Sequence, residues 1–352
     1  MAASTKSRPV LLLGSVPLGS AAEVFEAAGA TLGELARRIP DGETGAVRLN
    51  WVGCQAQPFR DGVGLEPAAT RTVPGVPEFT LYGIKPGNGP EGVKFGPLGY
   101  ARWAIESYKD FTRLRSAGKI PKETRMQVSM PTPFAVAFSF SAPASFPALW
   151  RIYERRMFEE VDEMARAIPH RDLAIQWDIA PDMIEFDTVS ERPEAMRKLF
   201  AAGATRDEIV AGIARAADSV PADVEMGLHF CYGDPGHKHL VEPKHTGPAV
   251  ELANRLATMI SRPITWVHLP VPRGRVDRDY FAPLGGLKLK PGTELYLGLV
   301  HFTDGLDGAK RRIAAASTVV SDFGIATECG MGRRKPETIR DLLRLHREIA
   351  TL

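Results

Sequence analysis

The sequence predicts an α/β protein built as one (β/α)8 barrel, a single domain over residues 1–352 with an insertion at 60–99. Eight short apolar runs alternate with longer amphipathic helical patterns, and such alternation implies a parallel sheet covered by helices. Eight repeats in 352 residues suit a barrel, which needs about 250 residues before insertions. Nearly every apolar run ends in a polar or metal-capable residue, and the carboxyl ends of the strands are where barrels assemble their sites.

The predicted strands are Pro9–Val16, Arg37–Gly42, Arg125–Met130, Leu173–Ile179, Val224–Phe230, Ile264–Leu269, Glu294–His301 and Gly324–Glu328. Their length and their Val, Ile, Tyr and Trp content favour strand over helix. The helical patterns are Pro147–Arg166, Thr205–Ala217, Gly247–Ile260, Gly308–Val319 and Pro336–Ile349. Pro147 and Pro336 suit a first helical turn, where a missing N–H costs nothing. The Gly- and Pro-rich stretch Arg60–Gly99 is too long for a simple connection and is expected to be a lid or an excursion of the chain.

A net charge of +2, with 44% hydrophobic and 24% charged residues, offers no field to attract nucleic acid or a membrane surface. No apolar run approaches the roughly 18 residues of a transmembrane helix, and the amino terminus lacks the apolar stretch of a secretory signal. Three cysteines make no disulfide framework, so a reducing, cytoplasmic setting is expected. Cys54 lies in a helix-like stretch and is expected to be structural.

His229 and Cys231 stand two apart at the end of the fifth predicted strand. Strand alternation points both side chains the same way, so one ion can take both. Cys329 occupies a matching position after the eighth run, and His268 lies near the end of the sixth. Zn2+ accepts Cys sulfur and His nitrogen, but the spacing equally allows a buried cysteine beside a hydrogen-bonded histidine. His301 ends the seventh strand, with Asp304 placed to orient it, and is a candidate general acid or base. The basic residues His237, Lys238, His239, Arg273, Arg275, Arg333 and Arg334 either receive an anion or pair with Asp234, Asp277, Asp279 and Glu328.

These strand ends resemble the catalytic, carboxyl-terminal barrel of cobalamin-independent methionine synthase, in the superfamily that also holds uroporphyrinogen decarboxylase. Gly14-Ser15-Val16-Pro17 is similar to the family's Gly-Ser-Phe-Pro, Gly42-Glu43 to its His-Gly-Glu, and Asp178 to the first residue of its Asp-Glu-Pro. His229-Phe230-Cys231-Tyr232 is similar to its His-Met-Cys-Tyr, and Cys329-Gly330 to its Asp-Cys-Gly-Leu-Lys.

The resemblance implies a zinc enzyme that transfers a methyl or alkyl group to a small thiol. Zinc would be ligated by His229, Cys231 and Cys329, with His268 fourth where the family has glutamate. Ser15, Glu43 and Asp178 would hold the substrate, and His301 would be the acid. The family's methyl donors are folates or, in shorter relatives, corrinoid proteins. The amino-terminal barrel that helps bind folate has no room in this chain, so folate does not follow. The run Asp178-Ile179-Ala180-Pro181 departs from the family's substrate motif. That departure keeps open an alternative, a zinc-dependent lyase or hydrolase on the same barrel, using the metal as Lewis acid.

Overall fold

The computed structural model describes residues 7–73, 76–199, 204–235 and 238–352. Seven parallel strands form one curled sheet, in the order β1 (Arg38–Pro40), β4 (Arg125–Pro131), β5 (Leu173–Ile179), β6 (Glu225–Phe230), β7 (Trp266–Pro270), β8 (Glu294–Val300) and β9 (Gly324–Thr327). Helices on the outside complete an architecture consistent with a TIM-like barrel. Strands β4, β5, β7 and β9 are buried almost throughout, as expected of parallel strands covered on both faces. Among the described residues, no helix is long and apolar enough to cross a membrane.

The first predicted strand is present only as an extended segment joined to β9 by the bridge Val10–Ile325. The cause is where its carbonyls go. Gln127 and Gln176 project inward from β4 and β5, and their amides donate to Leu12 O (2.9 Å) and Leu13 O (3.3 Å). On its other side β1 is three residues long and ends in a proline, which has no N–H to donate. The segment is tied there by isolated bonds from Val10 N–H to Leu35 O and from Val16 N–H to Gly42 O, each 2.8 Å. Buried backbone groups need partners, but the partners need not form a ladder.

The Gly- and Pro-rich stretch 60–99, expected to be an insertion, contains structure that its composition did not announce. Strands β2 (Leu65–Val73) and β3 (Val76–Ile84) pair as an antiparallel ribbon. Phe59, fully buried before the ribbon, contacts the rings of Phe95, Phe140, Tyr153 and Tyr82 at 4.9–6.3 Å and so fixes the insertion to the helix Phe146–Ala167. A second helix absent from the expectation runs from Tyr100 to Ser116.

The amino-terminal end of the sheet is closed by charge. Arg38 is 2% exposed, pairs with Glu225 and with Glu294 (2.8 Å), and lies 4.5 Å over the Trp266 ring. Glu225, Trp266 and Glu294 are the first residues of β6, β7 and β8. Burial drives the Arg38 pKa down, but these carboxylates more than reverse it and raise it above its ordinary value. Arg38→Ala would leave two part-buried carboxylates short of a partner, a loss of about 3 kcal/mol. It should appear as a lower urea midpoint with an unchanged slope.

Candidate active site

Strand register sets the site. Asp178, His229 and His268 are paired neighbours across β5, β6 and β7, so they stand at one level near the carboxyl end of the sheet. Cys231 N–H donates to Ile179 O (2.9 Å), which carries the β5–β6 pairing beyond the end of β6 and points the thiol to the same side as His229. After β9 the Thr327 hydroxyl donates to Cys329 O (2.7 Å) and folds the chain back. Met331 N–H then donates to Ser15 O (2.7 Å). A Cβ on Gly332 would lie 2.9 Å from Ser15 Cβ, so a glycine is needed there for this approach.

The ligand atoms of His229, Cys231 and Cys329 lie within 4.8 Å of one another. The two sulfurs are 3.5 Å apart, and Cys329 Sγ is 3.9 Å from His229 Nε2. The hydrogen bond between the sulfurs pulls the Cys231 pKa down and pushes that of Cys329 up.

His268 is not in this group. Its Nε2–H donates to Thr327 O (3.1 Å), and its Nδ1 accepts from His229 Nδ1–H (2.8 Å). The roles follow from chemistry. A carbonyl oxygen only accepts, so His268 Nε2 donates. Burial, followed by the nearness of His229, holds the His268 pKa well below its ordinary value. A neutral imidazole with a protonated Nε2 must accept at Nδ1, which makes His229 the donor there and turns its Nε2 toward the sulfurs; burial lowers the His229 pKa, and the neighbouring Cys231 more than reverses this. Continuing the register, the β7 position level with Cys231 is Pro270, which has no ligand atom to offer.

His301 and Asp304 lie apart from the cavity that these residues open into. His301 Nε2–H donates to Val271 O (2.8 Å), and its Nδ1 is 3.4 Å from Glu328 Oε2. Asp304 is held bidentately by the buried Arg312, at 2.7 and 2.9 Å. The carboxylate nearest His301 is therefore Glu328, which also pairs with His239 Nε2 (2.6 Å). Of the basic cluster, Arg275 pairs with Asp277 (3.3 Å), Arg273 donates to the Thr303 hydroxyl (2.9 Å) and Arg333 lines the cavity. His237 lies outside the described residues.

The cavity, ≈ 130 Å³, is lined by Ser15, Glu43, Asp178, His229, Cys231 and Cys329 together with Trp51. Gln176 holds Asp178 by a 2.8 Å bond. Burial pushes the Asp178 pKa up to about 6, and burial with the nearby Asp178 charge pushes Glu43 well above the ordinary carboxylate range. The non-glycine residues with positive φ among the described residues are Glu43 (φ 47°) and Trp51 (φ 49°), and both line this cavity. Backbone held in that region costs about 1–3 kcal/mol and persists where the surroundings enforce it. For Glu43 the enforcing bond is its N–H to Asp41 Oδ1 (3.0 Å), with Asp41 fixed in turn by Arg48 (2.8 Å) and the Ser107 hydroxyl (2.9 Å). The Trp51 indole N–H donates to Asp178 Oδ2 (3.3 Å). Trp51 was missed in the sequence, where its segment looks like an ordinary helix. Cys54, in the same segment, is half-buried and away from the other thiols, with its pKa pushed up to about 11 by burial.

No protein-family model and no curated protein sequence matches the chain. Solved structures do. A B12-independent methionine synthase from Shewanella sp. W3-18-1, in complex with selenomethionine, is 15% identical, with a TM-score of 0.63 over 98% of this chain and 97% of that one. A methyltransferase from Methanosarcina mazei is 13% identical, with a TM-score of 0.53 over 99% and 94%. Over nearly its whole length, therefore, this chain has the fold of the B12-independent methionine synthase and methyltransferase structures.

Proposed function

We propose that the protein is a zinc-dependent enzyme that transfers a methyl or alkyl group to a small thiol. The observation that carries this is the convergence of His229, Cys231 and Cys329 on one point of a cavity that two strained residues, Glu43 and Trp51, also line. Two thiols and one imidazole are a donor set suited to zinc. The fit is chemical as well as geometric: the sulfurs are close enough to contest a proton, a conflict that a divalent cation removes by binding both as thiolates. Three protein ligands leave a fourth position for substrate, as in catalytic zinc sites. When bound there, zinc supplies the Lewis acidity that keeps a substrate thiol, ordinarily of pKa about 8.5, ionised at neutral pH.

The remaining roles belong to the chain. We assign His268 to holding His229 in the tautomer whose Nε2 lone pair faces the sulfurs, in place of the fourth-ligand role the family resemblance implied. Glu43 and Asp178 destabilise one another as a pair of carboxylates. A positive group placed between them would relieve both, so they are assigned, with Ser15, to the ammonium end of an amino-acid-like substrate. His301 is assigned to the Glu328 side of the site, where it can exchange a proton with that carboxylate. Asp304, committed to Arg312, is left out of the proton chemistry.

X-ray absorption at the zinc edge tests the reading. The purified protein should carry one zinc per chain with two sulfur neighbours, and a third sulfur should join on addition of a substrate thiol such as homocysteine. No added Zn–S scattering with any thiol would turn the assignment toward a lyase or hydrolase.

A further inference from the structure

The cavity has an apolar side as well as the polar side that carries the sulfurs. Away from the sulfurs its wall is formed by Val73 and Phe79 of the β2–β3 ribbon, Phe138 of the helix Pro133–Phe140, Ile184 and Leu240. One cation, Arg71 of β2, enters this apolar wall. Its guanidinium lies 4.5 Å over the Phe138 ring and donates to Phe138 O. Among the described residues no carboxylate pairs with it. Burial alone lowers its pKa, to about 10, with no acid opposing the shift. Arg38, Arg48, Arg115 and Arg312 each meet a carboxylate, and the buried Arg262, which meets none among the described residues, is instead held by the carbonyls of Val220, Val224 and Pro263. A part-buried guanidinium against apolar walls is costly unless a counter-charge arrives. Its remaining N–H groups suit a carboxylate, phosphate or sulfonate.

We propose that the substrate of this site is an elongated amphipath, whose apolar body lies along Val73, Phe79, Phe138, Ile184 and Leu240 and whose anionic end pairs with Arg71, while its sulfur reaches His229, Cys231 and Cys329 and its ammonium group meets Glu43 and Asp178. This rests on the reading of the cavity as a thiol-alkylation site but is tested apart from it. The ribbon that distinguishes the insertion is then a specificity element, since it supplies both the cation and part of the apolar wall.

Octanoate carries the proposed body and anion without sulfur, so its binding does not depend on zinc. Titration calorimetry should show octanoate binding to the wild-type chain and, about equally, to the Cys231→Ser chain. Octanamide, its uncharged counterpart, should bind about ten- to a hundredfold more weakly, the contrast expected of a charge-assisted hydrogen bond. Arg71→Gln should remove that contrast, and Arg71→Lys should restore part of it. Mercaptohexanoate should bind more tightly than octanoate only when the metal is present, and binding of equal strength in the zinc-free chain would place the sulfur elsewhere. Absence of octanoate binding, or binding unchanged in Arg71→Gln, overturns the proposal and leaves the zinc assignment standing. Octanoate binding without a metal effect for the thiol overturns the zinc assignment and leaves the anion site standing.

Discussion

Replacing Cys231 or Cys329 by serine is expected to strip zinc from the protein, while Cys54→Ser keeps one zinc per chain. The thiolates supply two of the three converging ligand atoms, and a serine hydroxyl is far too weak an acid to take their place. Removing even a supporting hydrogen bond from a zinc ligand lowers affinity about 10–100-fold, so loss of a ligand should exceed that by orders of magnitude. The protein should stay folded: Cys231 stands at a strand terminus and Cys329 in the loop after β9, and serine is smaller than cysteine by little. Metal analysis after dialysis against a weak chelator gives the occupancy, and circular dichroism gives the folding control. Cobalt substitution adds a direct readout, because thiolate-to-cobalt absorption should halve in a single mutant that still holds metal. Full zinc in either site mutant would sink the ligand assignment. Loss from Cys54→Ser would show that the metal sits elsewhere, since Cys54 lies outside the converging group.

Much of this arrangement was legible because strand alternation is a strict geometric rule. His229 and Cys231 two apart at the end of an apolar run had to face the same way, and the structure has them converge with Cys329. The strands that read most easily, β4 to β8, are buried on both faces and so appear as apolar runs. The ribbon β2–β3 did not, because most of β2 is exposed and shows no alternation. Pro9–Val16 is as apolar as a central strand, yet its Leu12 and Leu13 carbonyls are taken by Gln127 and Gln176, two polar side chains inside the curled sheet that no pattern of apolar residues reveals.

The site was less legible where it depended on register and backbone strain. His268 could be named as a strand histidine, but its level relative to Cys231 could not be read from one strand. A fourth ligand was expected, and a residue one pleat deeper was found. Asp304 lies close to His301 in sequence, whereas its carboxylate is captured by Arg312 from the next helix. Trp51 gave no signal, since nothing in Asn50-Trp51-Val52 announces a positive φ. Arg71 could not be weighed either, because an arginine in sequence shows neither burial nor the absence of a carboxylate.

Gly298→Ala is expected to weaken zinc binding about 10–100-fold without touching a ligand. His268 on β7 donates to Thr327 on β9, and β8 lies between those strands. The bond can cross β8 because residue 298 has no side chain. A Cβ there would meet Glu328 Cα at 2.8 Å, Thr327 O at 3.0 Å and His268 Nε2 at 3.2 Å. Two of these atoms are backbone and cannot swing aside, so the added methyl must push the β9 terminus and His268 apart. Overpacking of this kind costs about 1–3 kcal/mol in stability. Its functional effect is specific: without Thr327 O, His268 is free to take the other tautomer, and His229 Nε2 no longer has its lone pair held toward the sulfurs. His268→Phe, which keeps the bulk and removes both nitrogens, should reproduce the affinity loss. Competition for zinc with a chromophoric chelator measures both variants, and nitrogen NMR of the histidine rings shows whether the Nε2–H tautomer of His268 is lost in Gly298→Ala. If affinity and tautomer were both unchanged, the hydrogen bond across β8 would be packing alone, and His229 would hold its orientation through β6.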